Sequence, residues 1–93
     1  MSECPWLNGA YAYNFVRGMQ GDDPRHVKIA ATCKHWYAYS LEDSDGKTRH
    51  DFDANVSARD LAETYLVPFQ PCVAASVEQI MCSYNAVNGV PTW

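Results

Sequence analysis

Val27-Lys28-Ile29-Ala30-Ala31-Thr32-Cys33 is a short, mostly apolar run with β-branched side chains at Val27, Ile29 and Thr32. Such a run suits a strand buried on both faces, because a half-exposed strand alternates apolar with polar positions. Val77-Glu78-Gln79-Ile80-Met81-Cys82-Ser83 reads as a second strand, and Asn88-Gly89 after it is a turn signal. Ahead of the first strand, Tyr11, Phe15 and Met19 recur at a spacing of four with Val16 alongside, and Gly18 and Gly21 close the pattern. That spacing predicts an amphipathic helix over 10–19.

Between the strands, Glu42-Asp43-Ser44-Asp45-Gly46-Lys47 breaks all periodicity, so 40–53 is expected to be a loop with no apolar face to bury. Ser57-Ala58-Arg59-Asp60 then sets a hydroxyl three residues before a carboxylate, an approximate capping box ahead of Leu61, Tyr65, Leu66 and Phe69 at helical spacing. Pro68 and Pro71 should kink or end this helix, since each lacks a backbone donor and its ring crowds the preceding turn. A shorter apolar turn around 72–75 should follow. Helices alternating with near-continuously apolar strands imply a parallel sheet with right-handed crossovers, an α/β fold. Two strands leave each with an unpaired edge and cannot close a sheet, so the expected structure is a slice of a larger α/β fold. No internal repeat or Pro/Gly/Ser-rich linker divides the chain.

A chain of 93 residues is one small domain at most, and buries only about 60 to 65% of its unfolded surface. Its 47% hydrophobic and 13% aromatic content is that of a chain that packs. A net charge of −4, from 7 basic and 11 acidic residues with no basic run, argues against nucleic acid or an anionic membrane as partner. No stretch approaches the roughly 18 apolar residues of a membrane span, and Met1-Ser2-Glu3-Cys4-Pro5 lacks the blocks of a secretory signal, so no export address is expected in this chain.

Cys4, Cys33, Cys72 and Cys82 can pair in three ways, and no spacing is a CxxC, which speaks against zinc and redox motifs. Cys33-Lys34-His35 is no metal site, and Cys33 and Cys72 are expected as buried small hydrophobes, leaving the redox compartment open. No metal or cofactor is expected. Asn55-Val56-Ser57 is a sequon, which makes Asn55 a candidate for N-glycosylation in a secretory pathway.

Lys34-His35 follow the first predicted strand and Tyr84-Asn85 the second. In parallel α/β folds the carboxyl ends of the strands are where sites are built. A lysine beside a histidine offers a fixed cation and a switchable donor, able to bind several hydroxyls or hold a nearby carboxylate ionised. Composition alone also allows a bland assignment: Lys34 as a solvated charge at a helix start, His35 as a satisfied core histidine, Tyr84 as a packed ring with one hydroxyl partner.

Ala31-Thr32-Cys33-Lys34-His35-Trp36 resembles the A-x-x-K-H-aromatic segment of glycoside hydrolase family 3. Ile80-Met81-Cys82-Ser83-Tyr84-Asn85-Ala86-Val87-Asn88-Gly89-Val90-Pro91 resembles that family's M-C-S-Y-N-x-V-N-G-x-P segment. The stretch 56–69 looks like its connecting helix, and 13–21 like the helix before its first matching strand. Four collinear matches cover nearly the whole chain, and the acidic loop ending in Arg49-His50-Asp51-Phe52 looks more like the β-xylosidase branch than the β-glucosidase branch.

The resemblance implies a partial (β/α)8 barrel, with 1–93 as a fragment of an N-terminal catalytic domain that supplies two of its strands with their helices. It implies retaining, exo-acting hydrolysis of terminal β-D-xylosyl or β-D-glucosyl residues, by an aspartate nucleophile and a glutamic acid/base about 5 to 5.5 Å apart. By the same resemblance Lys34, His35 and Tyr84, with Arg49 as a weaker carry-over, bind sugar in the −1 subsite, and neither catalytic carboxylate lies in this chain. The implied partners are an oligosaccharide, the rest of the barrel and a C-terminal domain, in a secreted parent enzyme. Two positions depart from the family pattern: Cys4 stands where E-D-P has its aspartate, and Trp93 where a cysteine often follows V-P-T, which leaves Cys82 without the partner the family implies. A non-catalytic module binding carbohydrate or protein through the same edge is the alternative, and a cysteine/histidine metal domain ranks last.

Overall fold

The computed structural model describes residues 2–93. Helix α1 spans Pro5–Gln20 and starts ahead of the stretch marked by hydrophobic spacing. Pro5 stands at its first turn, where an absent backbone donor costs nothing. Gly21, at φ 79°, closes the helix with its N–H bonded to Arg17 O at 3.0 Å, a conformation that only glycine adopts without cost.

Strand β1, Thr32–Trp36, pairs in parallel with β5, Gln79–Cys82, with Thr32 opposite Gln79 and Lys34 opposite Met81. This is the parallel pair expected from the sequence, displaced toward the carboxyl end: 27–30 precedes the first β5 partner and so has no ladder to join. Past Lys34 the register shifts, and Trp36 rather than His35 faces Cys82. His35 is thus the extra residue of a bulge, a device that re-aims side chains and is over-represented beside active sites. The peptide bonds Lys34–His35 and Trp36–Tyr37 are cis.

The stretch 40–53 is not structureless. β2, Asp43–Ser44, and β3, Lys47–Thr48, form a hairpin around Asp45 and Gly46, at φ 52° and 78°. Asp-Gly is a favoured dipeptide for the two-residue turn with both φ positive, so turn chemistry builds this hairpin where no apolar face exists. β4, Asp53–Ala54, lies parallel to β6, Ala86–Val87, and β6 turns through Asn88 and Gly89 into antiparallel β7, Val90–Pro91.

Ser57 caps α2, Ala58–Asp60, its Oγ accepting the Asp60 N–H at 3.0 Å, as the capping pattern predicts. The helix does not run on to Phe69. It passes through a π-helical turn, Leu61–Tyr65, and α3 begins anew as Phe69–Ala74. The break falls at Pro68; Pro71 sits in the first turn of α3, where its missing N–H is harmless, and Cys72 belongs to α3 rather than to a separate turn.

Val16, Ala31 and Ala75 form the buried core, with Met19, Cys33 and Val77 against it. Gln20, 4% exposed, clamps the amino ends of the two strands: its Oε1 accepts from Ala31 N at 3.3 Å and Glu78 N at 3.0 Å, and its Nε2 donates to Ser76 O at 2.9 Å. Cys33 and Cys72 are bonded to each other as a disulfide across 39 residues, which corrects their reading as independent buried thiols. Cys4 and Cys82 are free and exposed.

The described residues form an elongated body of 46 × 22 × 22 Å with a radius of gyration of 14.5 Å, against about 12 Å for a self-contained globule of this length. Its accessible surface of 6493 Å² exceeds the roughly 5,400 Å² of a folded monomer of this mass. Both faces of β5 are exposed, Ile80 by 39% and Met81 by 48%. An apolar strand open on both faces is the signature of a parallel sheet without its covering layers.

Candidate functional site

Because β1 and β5 run parallel, their carboxyl ends share one edge. Tyr84 stands there just past Cys82, between two buried neighbours. Ser83, 4% exposed, donates from its backbone N to Trp36 O at 2.6 Å and from its Oγ to the same oxygen at 2.8 Å. Asn85, 1% exposed, donates from Nδ2 to Tyr37 O at 3.2 Å and Ala86 O at 3.0 Å. Both flanking side chains turn in, the chain bends at Tyr84 and Asn85, and the Tyr84 ring is left half exposed.

The β2–β3 hairpin returns the chain to this ring. Arg49, just after β3, bonds its N–H to Glu42 O at 2.8 Å and sets its guanidinium carbon 5.5 Å from the Tyr84 centroid. The His50 ring lies 4.5 Å from Tyr84, and Arg49 Nε donates to His50 Nε2 at 3.3 Å. Tyr39 meets Tyr84 edge-on at 6.3 Å and His35 edge-on at 5.1 Å. The Tyr39 phenol, and after it the Glu42 carboxylate 3.4 Å from Nη1, raise the Arg49 pKa above its ordinary value and keep the guanidinium charged.

Of the residues expected from sequence, the structure brings His35, Arg49 and Tyr84 into one cluster. Lys34 lies within β1 rather than past its end or at a helix start, and its side chain is exposed. Among the described residues it forms no ion pair. With His35 and Tyr39 it lines a cavity of about 790 Å³ whose wall also holds Tyr11, Phe15 and Phe69. No residue of β5 lines that cavity, and neither Arg49 nor Tyr84 reaches it. It is chiefly a packing gap between α1, β1 and 64–72, while the polar cluster is an open surface at the strand ends. Asn55 is exposed beside Val56, whose backbone N and O are both held by the Asn88 side chain at 2.9 and 2.8 Å.

Tyr39 and His50 were not singled out by sequence reasoning. The available signals were the aromatic density of Trp36, Tyr37 and Tyr39 and the adjacency of His50 to Arg49. Several acidic side chains have structural work: Asp23 accepts from Arg25 and His26, Asp51 from Thr48, Asp53 from Gly89 and Asp60 from the Ser57 hydroxyl, and Glu63 pairs with Arg59. Among the described residues no group of three or more His, Cys, Asp or Glu could hold a metal. A fixed cation, imidazoles and phenols around half-exposed rings suit a neutral polyhydroxyl ligand, whose hydroxyls take the polar donors and whose C–H faces lie on the rings.

The profile described as "Glycosyl hydrolase family 3 N terminal domain" matches residues 1–93. A probable exo-1,4-beta-xylosidase of Aspergillus clavatus is 57% identical over 92 residues, covering 97% of this chain and 12% of that protein. An exo-1,4-beta-xylosidase of Emericella nidulans is 60% identical over 90 residues, again 12% of its length. Thus the chain spans about an eighth of these relatives. Among solved structures, a GH3 exo-beta-xylosidase in complex with a xylobiose aziridine activity-based probe superposes with a TM-score of 0.84 at 40% identity, over 90% of this chain and 11% of that one. A beta-glucosidase from Kluyveromyces marxianus in complex with glucose gives the same TM-score and identity, over 99% of this chain and 10% of that one.

Proposed function

The chain belongs to glycosyl hydrolase family 3, within its N-terminal domain, and on that premise we propose that it is part of a retaining, exo-acting glycoside hydrolase that removes terminal β-D-xylosyl residues, or β-D-glucosyl residues, from oligosaccharides. Residues 1–93 supply two strands, with their helices, of a (β/α)8 barrel whose remaining strands pair with the open edges of β1 and β5 and whose outer helices and interior side chains cover their faces. Lys34, His35, Arg49 and Tyr84 form one wall of the −1 subsite and bind sugar hydroxyls there. The observation that carries this reading is the meeting of His35, Arg49 and Tyr84 at the shared carboxyl edge of the parallel pair, with Lys34 beside them on β1.

The nucleophile and the acid/base lie outside these residues in this reading. Retaining hydrolysis needs two carboxyls about 5 to 5.5 Å apart across the scissile bond, and several of the carboxylates here serve turns and ion pairs instead. The partners are the oligosaccharide, the rest of the barrel and a C-terminal domain. The parent enzyme is secreted: a disulfide between Cys33 and Cys72 belongs to an oxidising compartment, and Asn55 is exposed for glycosylation.

Two measurements on one sample of purified chain test the reading: hydrolysis of aryl β-xyloside and β-glucoside, and NMR titration with methyl β-D-xyloside. The expected result is no release of aryl alcohol, with xyloside-dependent shifts at Lys34, His35 and Tyr84. Turnover abolished by Lys34→Ala would place the catalytic carboxylates inside the chain and overturn their assignment; shifts confined to other residues would overturn the subsite.

A further inference from the structure

Tyr39 stands between His35, on the β1 side, and Tyr84, on the β5 side. It lines the cavity that holds Lys34 and His35, on the β1 side. It also touches Tyr84, from the β5 side, at 6.3 Å between centroids, and His35 at 5.1 Å, both edge-on. The interplanar angles of 75° and 69° bring the electropositive ring edges against ring faces, the favoured aromatic geometry. No shorter ring contact joins His35 to Tyr84 among the described residues, so their separation runs through this side chain.

We propose that Tyr39 is a positioning residue of the sugar site, a spacer that fixes His35 and Tyr84 relative to each other across the carboxyl ends of β1 and β5. The inference rests on the sugar-site reading above. Hydrogen bonding alone cannot do this: Ser83 and Asn85 pin the backbone around Tyr84 to Trp36 and Tyr37, but they leave its ring free to turn about χ1. His35, as the extra residue of the bulge, likewise has no ladder partner to fix its direction. A ring wedged between the two ties their directions together, whereas His50 and Arg49 pack against Tyr84 without touching the His35 ring. The Tyr39 phenol also stands beside the Arg49 guanidinium, which lies 5.5 Å from the Tyr84 ring.

Tyr39→Phe and Tyr39→Leu separate these contributions in the 93-residue chain. Each aromatic pair is worth roughly a two- to tenfold change in an equilibrium, so Tyr39→Leu, which loses both, should weaken methyl β-D-xyloside binding about tenfold. Tyr39→Phe keeps the rings and should recover most of that loss, with the Arg49 Nε resonance displaced. A purely structural role would lower the melting temperature without this order of affinities. Sugar affinity within twofold of wild type for Tyr39→Leu overturns the proposal. If the wild-type chain gives no xyloside response at all, the sugar-site reading fails instead, and the spacer role is decided by the ligand-free spectrum. There, His35 and Tyr84 ring signals that move in Tyr39→Leu but not in Tyr39→Phe support it, and signals unmoved in both overturn it.

Discussion

Removing the Cys33–Cys72 disulfide by Cys33→Ala/Cys72→Ala should cost much of the stability of so small a chain. The bond spans 39 residues, and in the chain-entropy relation a loop of that size restrains the unfolded state by about 4 kcal/mol at 25 °C. The buried cluster it adjoins is small, Val16, Ala31 and Ala75 with three half-covered neighbours, so few other contacts can offset it. Dividing by the unfolding entropy of a chain this long gives a fall in melting temperature of about 20 °C. Circular dichroism melts of wild type, with and without reductant, and of the double variant measure it. Thiol titration in denaturant, without reductant, comes first: two reactive thiols, Cys4 and Cys82, are expected. Four thiols, or a reductant-induced shift under about 5 °C, would refute the claim that this bond staples β1 to α3.

Gln20→Leu should cost at least about 3 kcal/mol, because the buried amide satisfies Ala31 N, Glu78 N and Ser76 O, and each orphaned backbone group costs about 1–3 kcal/mol; urea midpoints report it. The glycines of α1 should respond oppositely. A Cβ at Gly9 would meet Pro71 Cγ at 2.9 Å, whereas at Gly18 it meets nothing within 4 Å. Gly18→Ala should then gain up to about 1 kcal/mol from helix propensity, while Gly9→Ala should lose about that much as α1 is pushed off α3. The Thr48 backbone N–H, and then its hydroxyl, hold the Asp51 carboxyl below the usual range. Its folded pKa is thus depressed, so its contribution is complete above the unfolded value, near pH 4, and is lost as pH falls through the folded value. The Thr48 amide signal followed by NMR should shift in that acid window in wild type and much less in Asp51→Asn.

Much of the fold was legible because it rests on local chemistry. The two strand runs, the Ser57 cap and the glycine end of α1 each depend on side chains within a few residues of where they act, and the parallel pairing followed from the alternation of helices with strands. The strand boundary was misplaced because 27–30 has strand composition but no partner opposite it, and pairing rather than composition decides where a strand begins. The hairpin at 43–48 was missed for the converse reason: two-residue strands carry no periodicity, and only the Asp45-Gly46 dipeptide betrayed it. The disulfide could not be read from spacing, since four cysteines permit three pairings. His35, Arg49 and Tyr84 were legible as sugar-binding candidates through resemblance. Their meeting was not, because it runs through Tyr39 and His50, whose contacts depend on where a bulge and a hairpin aim them.

Register ties these observations to the site. An isolated two-stranded parallel pair is weakly held by its own ladder, and slipping it by one residue would exchange its two faces, turning Lys34 toward the side where Cys33 meets α3. Side chains prevent the slip at both ends. Gln20 fixes Ala31 against Glu78 at the amino ends; Ser83 and Asn85 fix Trp36 and Tyr37 against the segment after β5 at the carboxyl ends. Both clamps are buried amides or hydroxyls bonded to backbone, so they act on register without needing the neighbouring strands that a complete sheet would supply. The carboxyl edge of the pair is therefore specified within these residues, while the burial of the apolar faces of β5 is not. That division follows from what each contact requires: a hydrogen-bond clamp needs only its own partners, but burial of Ile80 and Met81 needs layers that two strands and three helices cannot provide.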